Sequence, residues 1–270
     1  MKKKRVIPVL LLKNGFLVQS KGFGNYQNLG NPLQAVRRLS EWGSDEIIYL
    51  DISKNNQYDI KRNDLKYVNK SNYLDIIKEV SKYSFMPMTL GGKIKNLSDV
   101  EKRFKVGADK IAINTSALNN PNFISEIAKE FGSQSLVVSI DVKILDNQYV
   151  IFSNGGSLKR SVKFEEWIKI VCNNGAGEIL INSIDKDGGK TGYDIKMIKI
   201  VEKCATIPII ACGGVGEWNH FYEGFAKTNI DAVAAANIFH YVDQSVFLAK
   251  KFLFNKNINV RKPNLFKIDN

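Results

Sequence analysis

"GEILINSID", residues 177–185, is an apolar run bounded by acids, and "DEIIYLDIS", residues 45–53, repeats its pattern with Glu46 where Glu178 stands. Both read as strands that are apolar on both faces. With 47–52 and 179–184, six further apolar runs make a set of eight, at 6–12, 87–90, 111–113, 136–142, 207–212 and 232–236. Between them lie stretches with helical spacing, such as "PLQAVRRLSEW" (32–42), "NLSDVEKRFKVG" (96–107), "NPNFISEIAKEFG" (120–132) and "MIKIVEKCA" (197–205). Doubly buried strands alternating with helices predict a parallel sheet. Eight such units predict a single α/β domain, a (β/α)8 TIM barrel with its active site on the loops after the strands. A doubly wound sheet is the alternative, although no GxGxxG opens the first helix.

The repeat spans the chain. Glu46 maps onto Glu178 with an offset of 132, and "MPMTLGGK" (86–93) maps onto "IPIIACGG" (207–214) with Pro87 on Pro208, an offset of 121. "ADKIAINT" (108–115) likewise matches "IDAVAAAN" (230–237), so two half-barrels are related by internal duplication. The drop in offset implies an insertion of about 11 residues in the first half, at 53–72, on the loop after the second strand. The barrel is expected over 1–255, with a tail at 256–270.

At 270 residues and 44% hydrophobic content the chain can bury a full core. Its net charge of +12 is scattered, apart from "KKKR" (2–5) and "DIKRNDLKYVNK" (59–70), and no nucleic-acid-binding motif accompanies it. A solvated basic surface is expected, suited to anionic substrates or an acidic protein partner. The three cysteines, Cys172, Cys204 and Cys212, show no metal spacing and are too few for a disulfide scaffold. "MKKKRVIPVLLLKN" has too short an apolar run and no small-residue cleavage site, so it is not read as a signal peptide. No run approaches the ~20 apolar residues of a membrane span. A cytoplasmic location is expected, without metal or cofactor. His220 and His240 are the only histidines and read as surface or structural residues.

The chemical signal begins at the duplicated glycine pairs. Gly91–Gly92 and Gly213–Gly214 close strands, and each precedes a second strand end, Asn114–Thr115 and Ala236–Asn237, by nearly the same spacing. Glycine lets the backbone approach a ligand, and the N–H groups of a following helix start can hold phosphate. Two such cradles suit a small molecule phosphorylated at both ends.

The motifs "LVVSIDVK" (136–143), "GAGEILINSIDKDGGKTGYD" (175–194), "IPIIACGG", "GADKIAINTSALNNP" (107–121) and "FGSQ" (131–134) resemble the HisF family, the cyclase subunit of imidazole glycerol phosphate synthase, along nearly the whole chain. The resemblance implies a barrel paired with a HisH-like glutaminase, whose ammonia enters at the bottom and meets a bisphosphorylated substrate at the top. The family's bottom gate of four charges falls on Arg5, Glu46, Lys110 and Glu178, with Asp109 nearby as a partner contact; a stability ring is the alternative role. Asp51, Asp185, Asp187 and the second cradle match. The family uses two aspartates for acid and base work: Asp141 matches the one on strand 5, whereas strand 1 carries Leu11. A loop lysine aligns with Gln19, and the third glycine of the first cradle is Lys93. These departures are similar to the WbuZ-type, glycosyl amidation-associated branch, which implies ammonia supply for acetamidino-sugar formation beside an N-acetyl sugar amidotransferase. The alternatives are a true cyclase of histidine biosynthesis and a non-catalytic scaffold that activates a glutaminase.

Overall fold

The computed structural model describes residues 2–55, 58, 70 and 72–267. The insertion expected at 53–72 therefore lies mostly outside the described residues. Among the described residues twelve strands form one sheet: β1 (Arg5–Lys13), β2 (Phe16–Lys21), β3 (Asn25–Gly30), β4 (Ile47–Asp51), β5 (Met88–Gly91), β6 (Lys110–Ile113), β7 (Leu136–Leu145), β8 (Gln148–Ser153), β9 (Leu158–Lys163), β10 (Glu178–Ser183), β11 (Ile209–Cys212) and β12 (Ala232–Ala235). Eight of them, in the order β1, β4, β5, β6, β7, β10, β11, β12, run parallel, and β12 pairs back onto β1. The result is a closed (β/α)8 barrel, and the eight apolar runs of the sequence supply its staves.

Helices α1 (Pro32–Glu41), α2 (Tyr73–Val80), α3 (Leu97–Lys105), α4 (Thr115–Asn119), α5 (Asn122–Phe131), α6 (Phe164–Asn173), α7 (Ile195–Cys204), α8 (Trp218–Lys227) and α9 (Ser245–Asn255) follow the strands. Side chains of Asn31, Asn72, Asn96 and Asp194 accept from free N–H groups in the first turns of α1, α2, α3 and α7. The helical pattern read at 120–132 starts two residues later, because Pro121 forces Asn120 out of helical geometry and separates α5 from α4.

Strand residues divide by parity. Val6, Leu10, Leu12, Ile47 and Tyr49 join the layer between sheet and helices. Ile7, Val9, Ile48, Val137, Leu180 and Ile210 fill a separate cluster, the barrel lumen, with Leu11 and Leu50 packed at its edge.

Two antiparallel hairpins lengthen the sheet beyond the barrel rim. β2 and β3 continue β1, and β8 and β9 continue β7. The turns are Asn14–Gly15 and Asp146–Asn147, all with positive φ, as the twist of a two-residue hairpin loop demands. A short hairpin after the fifth stave is expected from "ILDNQYVIF"; the one after the first stave is an addition to the sequence reading. The tail folds back under the barrel, where Val260 is fully buried and bridged to Lys4, and the Phe266 N–H donates to the Glu41 carbonyl at 2.8 Å.

Candidate functional site

At the strand starts Arg5, Glu46, Lys110 and Glu178 form a closed cycle. Arg5 reaches Glu46 and Glu178 at 2.7 Å each, while Lys110 Nζ lies 3.1 Å from Glu46 and 2.8 Å from Glu178. Each acid thus spans both cations, and the cycle is neutral. Thr89 Oγ1 donates to Glu46 Oε1 at 2.8 Å from the lumen side. Burial pushes the Glu178 carboxyl up, but Arg5 and Lys110 outweigh it and hold its pKa below the ordinary value. Burial pulls the Arg5 guanidinium down, and Glu178 and Glu46 more than offset that, leaving it raised. Asp109, beside the ring, accepts from the Met88 N–H at 2.8 Å, and Asp45 accepts from the Val6 N–H at 2.9 Å. These two carboxylates stitch neighbouring staves just below the ring residues.

At the other end of the lumen the sheet register makes Leu11 and Asp141 equivalents. Leu11 pairs with Leu50, Asp141 pairs with Asn182, and Leu50 and Asn182 stand in the same relation as Glu46 and Glu178. Asp141 is buried. It accepts from Asn114 Nδ2 at 2.9 Å and from Ser139 Oγ at 3.3 Å. Burial dominates its ionisation and raises its pKa to about 7, with Ser139 and Asn182 pulling down and Asp187 pushing up. Cys212, two staves away, is also buried, and burial with the nearby Asp187 carries its thiol to about 12. It is a neutral wall of the mouth.

The glycine pairs are forced by their surroundings. A Cβ on Gly92 would sit 2.2 Å from the Asp51 carbonyl oxygen, and one on Gly214 would sit 2.2 Å from the Gly192 carbonyl oxygen, with φ near +95° and +98°. Gly91 lies against Leu50 and Ala112, and Gly213 against the Ser183 carbonyl. At the second turn Asn237, next to Ala236, binds the β2 backbone, its Nδ2 donating to Ser20 O at 2.7 Å. At the first, Thr115 Oγ1 accepts from the Asn154 N–H at 3.0 Å, and Lys93 Nζ lies 3.1 Å from Asp51 Oδ2.

Asp185 and Asp187 follow β10 and hold the hairpins. Asp185 accepts from the Ile144 N–H at 2.6 Å; Asp187 accepts from Ser20 Oγ at 2.7 Å and the Phe23 N–H at 3.2 Å. Gln19, at the aligned lysine position, donates to Gln27, and Lys21 is exposed. His220 accepts from the Gly216 N–H at 3.1 Å, and His240 lies half-buried between β12 and α9. Asn182, Ser139 and Cys212 are mouth residues that the sequence reading passed over. Counting by twos from Glu178 along β10 would have found Asn182, and the same parity along β7 joins Ser139 to Asp141.

A family model described as histidine biosynthesis protein matches residues 5–245. The imidazole glycerol phosphate synthase subunit HisF of Hydrogenobaculum sp. (strain Y04AAS1) is 40% identical over 259 residues, covering 96% of this chain and 98% of its own length. This chain belongs to the HisF family. Subunits of the same name from Bacillus cereus strains G9842 and AH187 are 38% and 37% identical over the same shares of both chains. HisF membership fits the closed barrel. No helix among the described residues is long and apolar enough to cross a membrane.

Proposed function

We propose that this chain is the HisF-type barrel subunit of a glutamine-dependent enzyme. It takes ammonia from a HisH-like glutaminase at the ring of Arg5, Glu46, Lys110 and Glu178 and delivers it through the lumen to a phosphorylated substrate at the mouth. The observation that carries the reading is Asp141, a buried carboxyl with a pKa of about 7 at the far end of an apolar lumen from that ring. A group poised there can both accept and donate a proton near neutral pH. Asn114 and Ser139 orient it through their hydrogen bonds. Ammonia is a small neutral base, so a lumen of alkyl groups transmits it without stabilising ammonium. The turns at Gly91–Gly92 and Gly213–Gly214, with Asn114–Thr115 and Ala236–Asn237, seat the substrate's phosphates.

The relatives' names support ring closure to imidazole glycerol phosphate as the reaction. A second reading is favoured by Leu11. Its side chain cannot move a proton, so chemistry that needs an acid and a base on opposite sides of the substrate has only Asp141. In that reading the ammonia leaves for an N-acetyl sugar amidotransferase partner and an acetamidino product. Turnover of the bisphosphorylated ribulosyl substrate with excess ammonium separates the two. Turnover by the unmodified protein supports ring closure with one aspartate. Turnover that arises only in Leu11→Asp supports the second reading, and binding without turnover in either protein argues against ring closure.

A further inference from the structure

A cleft lies outside the mouth, between α1 and the connection from β12 to α9, and holds about 120 Å³ of free space. That is close to the roughly 150 Å³ that admits a single six-membered ring. Arg38 and Trp42, one helical turn apart on α1, stand on one side of it. Phe239 and His240 from the 3-10 turn Asn237–His240, with Tyr241 and Asp243 after it, stand on the other. The same turn gives Asn237 to the mouth, where it holds the Ser20 carbonyl.

Aromatic rings make the floor of the cleft. Trp42 and Phe239 are 7% and 2% exposed, whereas Tyr241 stands 47% exposed at the rim, with Lys190 Nζ 4.5 Å from its ring centroid. An apolar floor alone would take any flat molecule, and the polar groups narrow the choice. Arg37 lies 3.7 Å from Glu41, one turn ahead of it, but the residue one turn ahead of Arg38 is Trp42, whose ring centroid is 5.9 Å from the guanidinium. Among the described residues Arg38 has no carboxylate partner and the exposed Asp243 has no cation, so the two share the cleft without pairing with each other. The Trp42 indole N–H and the His240 ring nitrogens also have no hydrogen-bond partner among the described residues, and all of them remain accessible. Burial, with the Arg38 charge second, lowers the His240 pKa to about 4, so this ring is neutral near pH 7. The cleft thus carries one unpaired positive and one unpaired negative charge. A simple anion would meet Asp243 and a simple cation would meet Arg38. A molecule that bears both charges side by side is repelled by neither.

We infer that this cleft is a binding site for an aromatic α-amino acid, with the α-carboxylate on Arg38, the α-ammonium on Asp243 and the side-chain ring against Trp42 and Phe239. A guanidinium holds a carboxylate through two parallel N–H groups, and the indole N–H adds a donor on the same side of the cleft. The neutral His240 offers one donor and one acceptor to a polar ring. Neither glycine turn nor Asp141 takes part, so the inference stands apart from the functional proposal.

The test is titration of the full chain with L-phenylalanine, L-tyrosine, L-tryptophan and L-histidine, followed by calorimetry and by proton–nitrogen NMR at the three indole N–H resonances. The Trp42 resonance, assigned by its loss in Trp42→Phe, should move with at least one of the four, while that of Trp167 stays in place. For the tightest binder, the analogue without the ammonium and the analogue without the carboxylate should each bind roughly tenfold more weakly or worse. Arg38→Met should weaken binding by a similar factor, and Arg38→Lys should recover only part of the loss, because an ammonium lacks the planar fork. Asp243→Asn should weaken binding by a smaller factor, as befits an exposed charge. Arg38 and Asp243 are both exposed, so these variants should fold as the parent does. A Trp42 resonance that none of the four amino acids moves would overturn the inference. An analogue without the ammonium that binds as tightly as its parent would make the cleft an anion site and overturn it too, as would binding unchanged in Arg38→Met.

Discussion

Asp141 and Leu11 occupy matching places on matching staves, and the difference of one side chain fixes what the mouth can do with protons. Replacing Asp141 by Asn should abolish ammonium-supported turnover and also change how stability depends on pH. The ordinary carboxyl value is 3.8 and the folded value is about 7, so between those limits the folded chain keeps a proton that the unfolded chain has released. Stability of the native protein should therefore fall as pH rises from about 4 to about 7 and then level off, and Asp141→Asn should flatten that decline. Urea melts at pH 5 and pH 8 would show it as a variant that gains more, relative to the parent, at the higher pH. The Leu11 and Asp141 contrast was legible in the sequence because both runs end in lysine two places further on. The partners that tune Asp141 were not, because Asn182 and Ser139 are ordinary polar residues whose meaning depends on which way their strand faces.

Elements carry the next level of evidence. Four charges placed at the starts of staves meet only because the barrel closes, and Asp45 and Asp109 tie the backbones of neighbouring staves just below them. Lys110→Met leaves two acids facing Arg5 alone and should cost about 1 to 3 kcal/mol, less than a wholly buried pair because the Lys110 side chain is 19% exposed. Where glutaminase is present, the same variant should lower glutamine-supported turnover more than ammonium-supported turnover. Equal losses would make the ring a stability device only. The ring was legible through the family resemblance, and its hydrogen-bond support was not. The hairpin after β1 was readable in principle from Asn14–Gly15, but the apolar run before it masks the turn in a scan for buried strands.

On the scale of the whole molecule, the duplication was legible because buried strands keep their apolar character over both copies, while the tail was not because its contacts are with distant residues. Val260 is fully buried beside Lys4, so deleting residues 258–270 should lower stability by about 2 kcal/mol while leaving phosphate binding at the mouth intact. A thermal melt paired with a phosphate titration measures both. The two hairpins rise from the first and fifth staves, which face each other across the rim, and the glycine turns follow the third and seventh, a quarter-circle away. The tips of those hairpins meet over the mouth, where the Phe23 ring lies against Gly156, so the space between the two glycine turns is a slot roofed at its middle. In a perfectly symmetric vessel a doubly charged ligand could lie in that slot either way round. Lys93 at one end and the unequal pair Leu11 and Asp141 at the waist break that symmetry, so the slot has a head and a tail.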